Sequence, residues 1–533
     1  MAAHANETSP SPTRLEAGSD EKVGFPKEGV LSDHVHAADG SSMKDGEDIL
    51  ALQDLDPALN AKTHLVNNAI DEIGWTNYHW KLFGLNGFGY AVDSLVLLLQ
   101  SIIATQAFME FGEVGYPRAL TIAVYVGMLT GAIFWGSSAD IMGRRHAFNI
   151  SLFVCAVSTL LCGAMPNWGS LGLFIALVGF GAGGNLILDT TVFLEYLPSQ
   201  KQWVLTFLAA WWGLGQAITG FIAWGFMVPE RWNCTSADTC TKENNMGWRY
   251  TMLTSGALVF VMSVLRITVV RLKETPKYLL ALGDDAQVVE TLQLLANKYN
   301  RPISLTLERL EACGEVRGAH SKNRFSTNEL MIHLRGLFAT RKIAISTVLI
   351  WVSWTLIGLV YPLFYVFLPT YLATRGADFE ETPYETWRNY ALVNVSSIFG
   401  PMLAGWMCDL PLLGRRYTMV IGALMTMVFF FAYTAVRSAA QNVGFSCAIG
   451  FCLNIYYGTL YAYTPEVLPS AHRATGNGVA VACARVMGIL SAVIATFADT
   501  STPVPIYLCA ALFVALALVS VFFPFEPYGK RSS

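Results

Sequence analysis

The sequence contains one motif twice, as GSSADIMGRR at residues 136–145 and as GWMCDLPLLGRR at residues 405–416. Each copy follows an apolar stretch, and the second copy has two extra residues between its Asp and the Gly before its arginines. Glycines let helices approach closely, and an Asp at a membrane edge beside two arginines can form a charge network across helix ends. Either copy alone also fits a tight turn with snorkelling arginines, but two copies at matching positions favour two related membrane-spanning halves.

The composition is typical of a membrane protein. Of 533 residues, 53% are hydrophobic and 14% are charged, which is too little polar material to cover a soluble globule of this size. The sequence has no GxxxxGK(S/T), no HExxH, no nucleophile elbow and no metal-site cysteine spacing. We therefore expect no enzymatic activity, no cofactor and no metal. A net charge of −4 without a basic stripe also argues against nucleic acid as a partner.

Apolar stretches of about twenty residues predict an all-α membrane protein with twelve transmembrane helices in two six-helix bundles. A polar interval separates the sixth stretch from the seventh. The predicted parts are a disordered cytosolic tail (1–60), an interfacial helix on the membrane surface (61–81), the N-terminal bundle (82–272), a central cytosolic loop (273–342), the C-terminal bundle (343–523) and a cytosolic tail (524–533).

Basic residues predict which side of the membrane each loop occupies, because short cytosolic loops retain Lys and Arg. Arg144, Lys201, Arg415 and Arg473 all fall on the side of the N-terminus, and dispersed exceptions such as Arg118 do not change the assignment. Both termini are therefore predicted to lie in the cytosol. The plasma membrane is the default location.

This topology makes the loop at 229–249 extracellular. Cys234 and Cys240 in this loop form either a small disulfide or two free thiols, and the sequence leaves both possibilities open. Asn233 begins the sequon Asn-Cys-Thr and is a weak candidate for N-glycosylation, because a disulfide at Cys234 would interfere with it.

The repeated motif resembles the loop motif of the major facilitator superfamily, and the resemblance runs from about residue 65 to about residue 525. It implies two pseudo-symmetric six-helix bundles that alternate access to a central site. AIDEIGW at 69–75, GGN at 183–185 and EYLP at 195–198 are similar to the synaptic-vesicle-two-related branch. ETPKYL at 274–279 and PEVLP at 465–469 are shared by that branch, the sugar porters, and the organic anion and cation transporters.

The resemblance also implies a cytosolic charge network that opens and closes with the two halves. Relatives usually carry Arg-Gly shortly after EYLP, where this chain has Lys201-Gln202, so the network of the N-terminal half is expected to differ. The predicted members of the network are Asp140, Arg144, Arg145, Glu195, Glu274, Asp409, Arg415, Arg416, Glu466 and Arg473.

Ionisable residues inside the spans are functional candidates, because a charge in a bilayer costs several kcal/mol unless it is paired or faces water. Asp93 near the middle of span 1 is a predicted proton site or a structural carboxylate. The resemblance implies that Asp189 in span 4 either couples protons or pairs with the loop arginines. Arg485 in span 11 occupies the position at which organic anion transporters, which the chain resembles here, also carry an arginine. It either binds a substrate carboxylate or pairs with an Asp or Glu of a neighbouring helix.

Aromatic and amide side chains inside the spans are further candidates, since flat organic substrates are held by apolar and aromatic walls with a few polar groups. Any single aromatic residue here can equally face lipid or serve packing. The predicted substrate contacts beside Arg485 are Gln216, Tyr90, Tyr361, Tyr365, Tyr457 and Tyr461, with Trp211, Trp212 and Tyr456 as additional candidates.

These features predict a secondary active transporter, most simply one that carries a small organic anion together with protons. The alternatives are efflux of a metabolite or drug by proton antiport, a sugar transporter, and a nutrient sensor that does not transport. Span 7 lacks the paired glutamines that sugar porters use to bind hydroxyl groups, which counts against a sugar. The expected partners are a small molecule, protons and the lipid bilayer, and we expect a monomer.

Overall fold

The twelve predicted spans are confirmed as long apolar helices. The structure, a computed structural model, describes residues 57–111, 116, 118–142, 144–269, 274–316, 331, 334–368, 371–373, 381–469, 472–497 and 504–528. Within these residues the chain forms helices and no strand. The spans, numbered in chain order, are Asn77–Phe111, Ala119–Gly136, Arg144–Cys162, Trp168–Tyr196, Trp203–Met227, Gly247–Thr268, Arg341–Val366, Pro383–Cys408, Gly414–Tyr433, Ala439–Val467, Thr475–Ala495 and Val504–Val521.

Side chains at the helix starts satisfy backbone donors that the first turn cannot pair. The side chain of Asn167, before span 4, accepts a hydrogen bond from the backbone N–H of Ser170 at 2.8 Å. Span 8 begins with a capping box, in which Thr382 and Glu385 each accept from the other's backbone N–H. Local polar residues therefore determine where these spans begin.

Span 7 changes its winding near its C-terminal end. Pro362 has no backbone N–H to continue the helical ladder, and Pro362–Val366 form a π-helical turn. Tyr361, just before this turn, and Tyr365, within it, stack with ring centroids 4.8 Å apart. Both rings are buried, so the turn presents two phenols to the interior.

The two sets of six spans meet through equivalent helix pairs. Span 2 packs on span 11, and span 8 packs on span 5. Span 8 is the second span of the C-terminal half and span 5 is the fifth of the N-terminal half, so both contacts join the second span of one half to the fifth span of the other. A Cβ atom at Gly213 in span 5 would lie 2.6 Å from the backbone nitrogen of Ile398 in span 8, a distance that no side chain permits. Glycine thus allows the backbones of the two halves to approach closely.

The helix that precedes span 1, named α1, covers Pro57–Ile73 rather than 61–81. Its apolar face was expected to lie on the membrane surface, but Val66 and Ile70 are buried against Leu280 and Leu292 of the central loop. The loop itself, expected as a polar interval at 273–342, contains the helices Pro276–Ala281, Asp285–Lys298 and Leu307–Glu311. The predicted tail at 1–60 lies outside the described residues except for its last four, which belong to α1.

Candidate functional site

A buried ion pair joins the two halves of the protein. Nη2 of Arg485 in span 11 lies 3.1 Å from Oδ1 and 3.3 Å from Oδ2 of Asp93 in span 1. Asp93 is 0% exposed and Arg485 is 3% exposed. Each charge therefore depends on the other for its stabilisation in the interior. The structure brings together a predicted proton site and a predicted anion site that lie in different halves of the sequence.

Aromatic rings from spans 1, 5, 7 and 10 gather beside this pair. The ring centroid of Tyr461 lies 4.7 Å from those of Tyr457 and Trp354, and 4.9 Å from that of Trp212. Tyr90, one helical turn before Asp93, lies 5.9 Å from Tyr461. Four of the predicted aromatic candidates, from both halves, thus form one cluster. The candidates Trp211 and Tyr456 lie elsewhere, Trp211 beside Phe83 and Phe88 and Tyr456 beside Phe513.

Hydrogen-bonded side chains extend this aromatic cluster along span 7. Nε2 of Gln216 in span 5 donates to the hydroxyl of Tyr361. The hydroxyl of Tyr365 accepts from Asn454 at 2.9 Å and lies 2.6 Å from the hydroxyl of Ser397. The predicted contacts Gln216, Tyr361 and Tyr365 are therefore joined to side chains of spans 8 and 10 that the sequence did not single out.

Several polar atoms around the Asp93–Arg485 pair have no hydrogen bond within the part of the chain that the structure describes. They are the hydroxyl of Tyr90, Nε1 of Trp212, Oε1 of Gln216 and Nε of Arg485. Buried polar atoms normally have partners, so such a group marks a place where a polar ligand can bind. Two of the four, the indole and the guanidinium, can only donate, which suits an anion.

A second intramembrane ion pair lies wholly within the N-terminal half. Nη2 of Arg266 in span 6 bonds Oδ1 of Asp189 in span 4, and both side chains are buried. The same guanidinium donates to Oδ1 of Asn185 at 3.4 Å and lies over the ring of Phe148. Asp189 thus has a partner inside the membrane, rather than among the loop arginines where the sequence sought one.

The two repeated motifs each contribute an arginine to a buried ion pair. Arg144 pairs with Glu195 at the end of span 4. Arg415 pairs with Glu466 at the end of span 10 through two hydrogen bonds, Nε to Oε2 at 3.0 Å and Nη2 to Oε1 at 2.9 Å. A two-bond fork of this kind fixes the geometry as well as the charge. The same pairing occurs at equivalent positions of the two halves.

A second carboxylate holds the start of the helix that carries each of these arginines. Oε2 of Glu274 accepts from the backbone N–H of Arg144 at 3.1 Å. In the C-terminal half, Glu526 accepts from the backbone N–H of Arg415 at 2.9 Å and from that of Arg416 at 3.0 Å. A helix N-terminus favours negative charge, so each carboxylate stabilises its helix. Burial raises the pKa of Glu274.

Arg473 lies fully buried at the start of the helix that contains span 11. Burial and the nearby positive charge of Arg144, which belongs to the other half, lower the pKa of Arg473 to about 9. Glu466 partly offsets this effect. Two like charges from opposite halves therefore lie near each other at the end of the bundle that carries the repeated motifs, each beside a carboxylate of its own half.

The remaining predicted network members are less enclosed. Arg145 and Asp409 are exposed, and Asp409 is the C-terminal cap of span 8. The side chain of Arg416 donates to the backbone carbonyl of Val521. The side chain of Asp140 lies outside the described residues.

The predicted extracellular loop is closed by a disulfide, and Gln106 of span 1 forms hydrogen bonds with the backbone of Cys234. Cys234 and Cys240 are joined by a disulfide. Nδ2 of Asn233 donates to the backbone carbonyls of Phe226 and Pro229 at 2.9 Å each, so glycosylation would require this amide to leave both.

Three charged residues of these networks were not predicted from the sequence. Arg266 lies inside a predicted span, and the cost of a charge in the bilayer was a sufficient signal for it. Glu110 ends span 1 and accepts from Nη1 of Arg249 at 2.6 Å and from Nε1 of Trp248 at 2.9 Å. Glu526 lies in the predicted C-terminal tail, where its only signal is its correspondence to Glu274.

Known proteins are similar to the chain over most of its length. The family model described as Major Facilitator Superfamily matches residues 82–492. The chain is 40% identical to "MFS siderochrome iron transporter 1" of Ceriporiopsis subvermispora, over 90% of this chain and 93% of that protein. It is 26% identical to the synaptic vesicle 2-related protein of Rattus norvegicus (88% and 82% covered), and 25% identical to the niacin transporter NiaP of Acinetobacter baylyi (80% and 89% covered). These relatives confirm the predicted family and branch.

The fold is similar to that of the proton:xylose symporter XylE. Its structure with 6-bromo-6-deoxy-D-glucose superposes with a TM-score of 0.64, covering 86% of this chain and 98% of that one. The sequences are only 15% identical, so the likeness concerns the fold alone. It confirms the predicted arrangement of twelve helices.

Proposed function

The chain belongs to the major facilitator superfamily, and on that premise we propose that it carries a small organic carboxylate together with protons by alternating access. The observation that carries this proposal is the buried pair of Asp93 and Arg485, one residue from each half. Arg485 is the donor that a carboxylate would need, and Asp93 is the base that would compete with it.

Charge balance makes this pair a coupling device. A single guanidinium can be neutralised either by ionised Asp93 or by a substrate carboxylate. When the substrate binds Arg485, Asp93 becomes neutral by taking up a proton, and the core remains balanced. Binding of the anion alone or of the proton alone would leave one net charge in the interior, which costs several kcal/mol. The halves then close over both ligands or over neither, which is symport.

The surroundings of the pair favour an aromatic or otherwise flat acid. Tyr90 lies one helical turn from Asp93, and Tyr461, Tyr457 and Trp212 continue the aromatic cluster from it. Nε1 of Trp212 and Nε of Arg485 are buried donors whose partner could be a carboxylate. NiaP is named for niacin, an aromatic carboxylic acid, and this supports the same substrate class.

Uptake into proteoliposomes tests the proposal. An inward proton gradient should drive accumulation of labelled aromatic carboxylates, niacin among them, by the wild type. Asp93→Asn should abolish accumulation driven by the gradient but retain exchange of internal for external substrate, because the amide mimics the protonated acid. Arg485→Gln should lose both activities, whereas Arg231→Gln, at an exposed arginine of the extracellular loop, is the control. Undiminished accumulation by Asp93→Asn would contradict the mechanism.

The relative that is 40% identical favours a second candidate, transport of an iron siderochrome. The same proteoliposomes distinguish the two substrates. Uptake of a ferric siderophore without uptake of any carboxylate would replace the first proposal with the second.

We further propose that the monomer lies in the plasma membrane with both termini in the cytosol. Cys313 provides the test, because it is a partly exposed cysteine in the central loop. A maleimide that cannot cross membranes should label it only after the cells are permeabilised. Labelling in intact cells that is absent in Cys313→Ser would place the central loop outside the cell and contradict the proposed orientation.

A further inference from the structure

Two adjacent carboxylates of α1 each bind a serine of another segment. Asp71 accepts from the backbone N–H of Ser199 at 2.7 Å and from its hydroxyl at 2.8 Å. Glu72 accepts from the backbone N–H and from the hydroxyl of Ser304, both at 2.6 Å. Ser199 follows span 4, and Ser304 lies in the central loop. The end of α1 therefore connects the N-terminal bundle to the loop.

The Glu72–Ser304 contact is the exposed part of this connection. The other contacts of α1 with the loop are more enclosed: Lys62 is 2.5 Å from Asp285, with side chains 4% and 12% exposed. Ser304 itself is exposed, and it lies in the non-helical segment 301–306. Its neighbour Leu305 is buried in the core that α1 shares with the loop helices.

Ser304 has the properties of a kinase target. Protein kinases bind exposed, extended segments, and many select an arginine three residues before the serine, which Arg301 supplies here. We propose that Ser304 is phosphorylated by a cytosolic serine kinase of this class and that the phosphate releases α1 from the central loop. The proposal needs these segments to face the cytosol, as proposed above, but it does not depend on the substrate or on proton coupling.

The chemistry of the transfer removes the contact directly. The Ser304 Oγ attacks the γ-phosphorus of Mg·ATP, a new Oγ–P bond forms, and the bond to the bridging oxygen breaks so that ADP leaves. The hydroxyl proton passes to the base of the kinase. Oγ then has no hydrogen to donate to Glu72, and a group with a charge of about −2 stands beside that carboxylate.

A cation near Ser304 can take up the phosphate. Nη1 of Arg309 already donates to the backbone carbonyl of Ser304 at 3.0 Å. Arginine pairs well with phosphate through charge-assisted hydrogen bonds. Phosphorylated Ser304 would thus bind Arg309 of its own loop in place of Glu72 of α1. The contact through which α1 connects the loop to the N-terminal bundle would then be lost.

Ser199 provides an internal comparison, because it makes the same two bonds to the neighbouring carboxylate. It is only partly exposed and lies in the 3-10 turn Ser199–Lys201, and the residue three positions before it is Tyr196. The same kinase is therefore expected to modify Ser304 and not Ser199.

The test uses the full-length protein in detergent, incubated with Mg·ATP and a purified serine kinase that selects arginine at the third position before its target. Mass spectrometry should locate phosphate on Ser304, and hydrogen exchange of the α1 amides should become about tenfold faster. Ser304→Ala treated in the same way should show no added exchange from kinase treatment, whereas Glu72→Gln should show faster exchange without kinase. Absence of phosphate at Ser304, or unchanged α1 exchange in the phosphorylated protein, would overturn the proposal.

Discussion

The buried pair of Asp93 and Arg485 should contribute strongly to stability, and the loss should depend on whether one or both charges are removed. The closest nitrogen–oxygen distance is 3.1 Å. At an effective dielectric constant of about 20, that separation corresponds to about 5 kcal/mol of attraction. Removing one partner leaves the other charge buried, and we expect Arg485→Gln or Asp93→Asn alone to lower the free energy of unfolding by about 3–5 kcal/mol.

The double variant separates this mechanism from simple loss of packing. Asp93→Asn combined with Arg485→Gln places two neutral amides in the site, so its free energy of unfolding should return to within about 2 kcal/mol of the wild type. Unfolding in mixed micelles by increasing SDS, followed by tryptophan fluorescence, measures all four proteins. Arg231→Gln serves again as the surface control. A double variant whose loss equals the sum of the single losses would refute the reasoning.

Three further outcomes follow from the other contacts. Arg266→Gln should lower the free energy of unfolding by about 3 kcal/mol, because it leaves Asp189 buried without its partner, and a smaller loss in the double variant with Asp189→Asn would identify the cause. Arg415→Gln should slow transport more than Arg415→Lys, since only the lysine keeps a charge for Glu466; equal transport rates in proteoliposomes would exclude a role for that charge. Cys234→Ser should lower the free energy of unfolding by about 2 kcal/mol, the value for so short a closed loop, and a reductant should lower the stability of the wild type but not of the variant.

Local sequence predicted the spans well because the bilayer imposes a minimum apolar length on every crossing. It predicted their ends less well. The N-terminal bundle was expected to begin at residue 82, whereas the helix of span 1 runs from Asn77 to Phe111, because a helix can continue past its apolar part. The face of α1 was also assigned to the wrong neighbour, since an apolar stripe does not distinguish a membrane surface from the loop helices that bury Ile70.

The site was predicted one residue at a time and not as a set. Asp93 and Arg485 each stood out through the cost of a charge in a bilayer, but they are 392 positions apart, and nothing local indicates that span 1 faces span 11. Their contact depends on how the two halves pack. Asn454 and Ser397 had no signal at all, because uncharged polar residues are common in spans and only their position beside Tyr365 gives them a role.

The length of span 1 has a mechanical consequence. Its 35 residues extend for about 52 Å, well beyond a hydrocarbon core of about 30 Å. Asp93 lies close to the midpoint, while His79 near one end bonds the backbone carbonyl of Tyr196 at 2.9 Å and Glu110 near the other end holds Arg249. If span 1 pivots about its contact with Arg485, a tilt of about 10° moves the two ends of the helix by about 4–5 Å in opposite directions. A change of protonation at one buried carboxylate would then reach both faces of the membrane at once, one moving inward as the other moves outward.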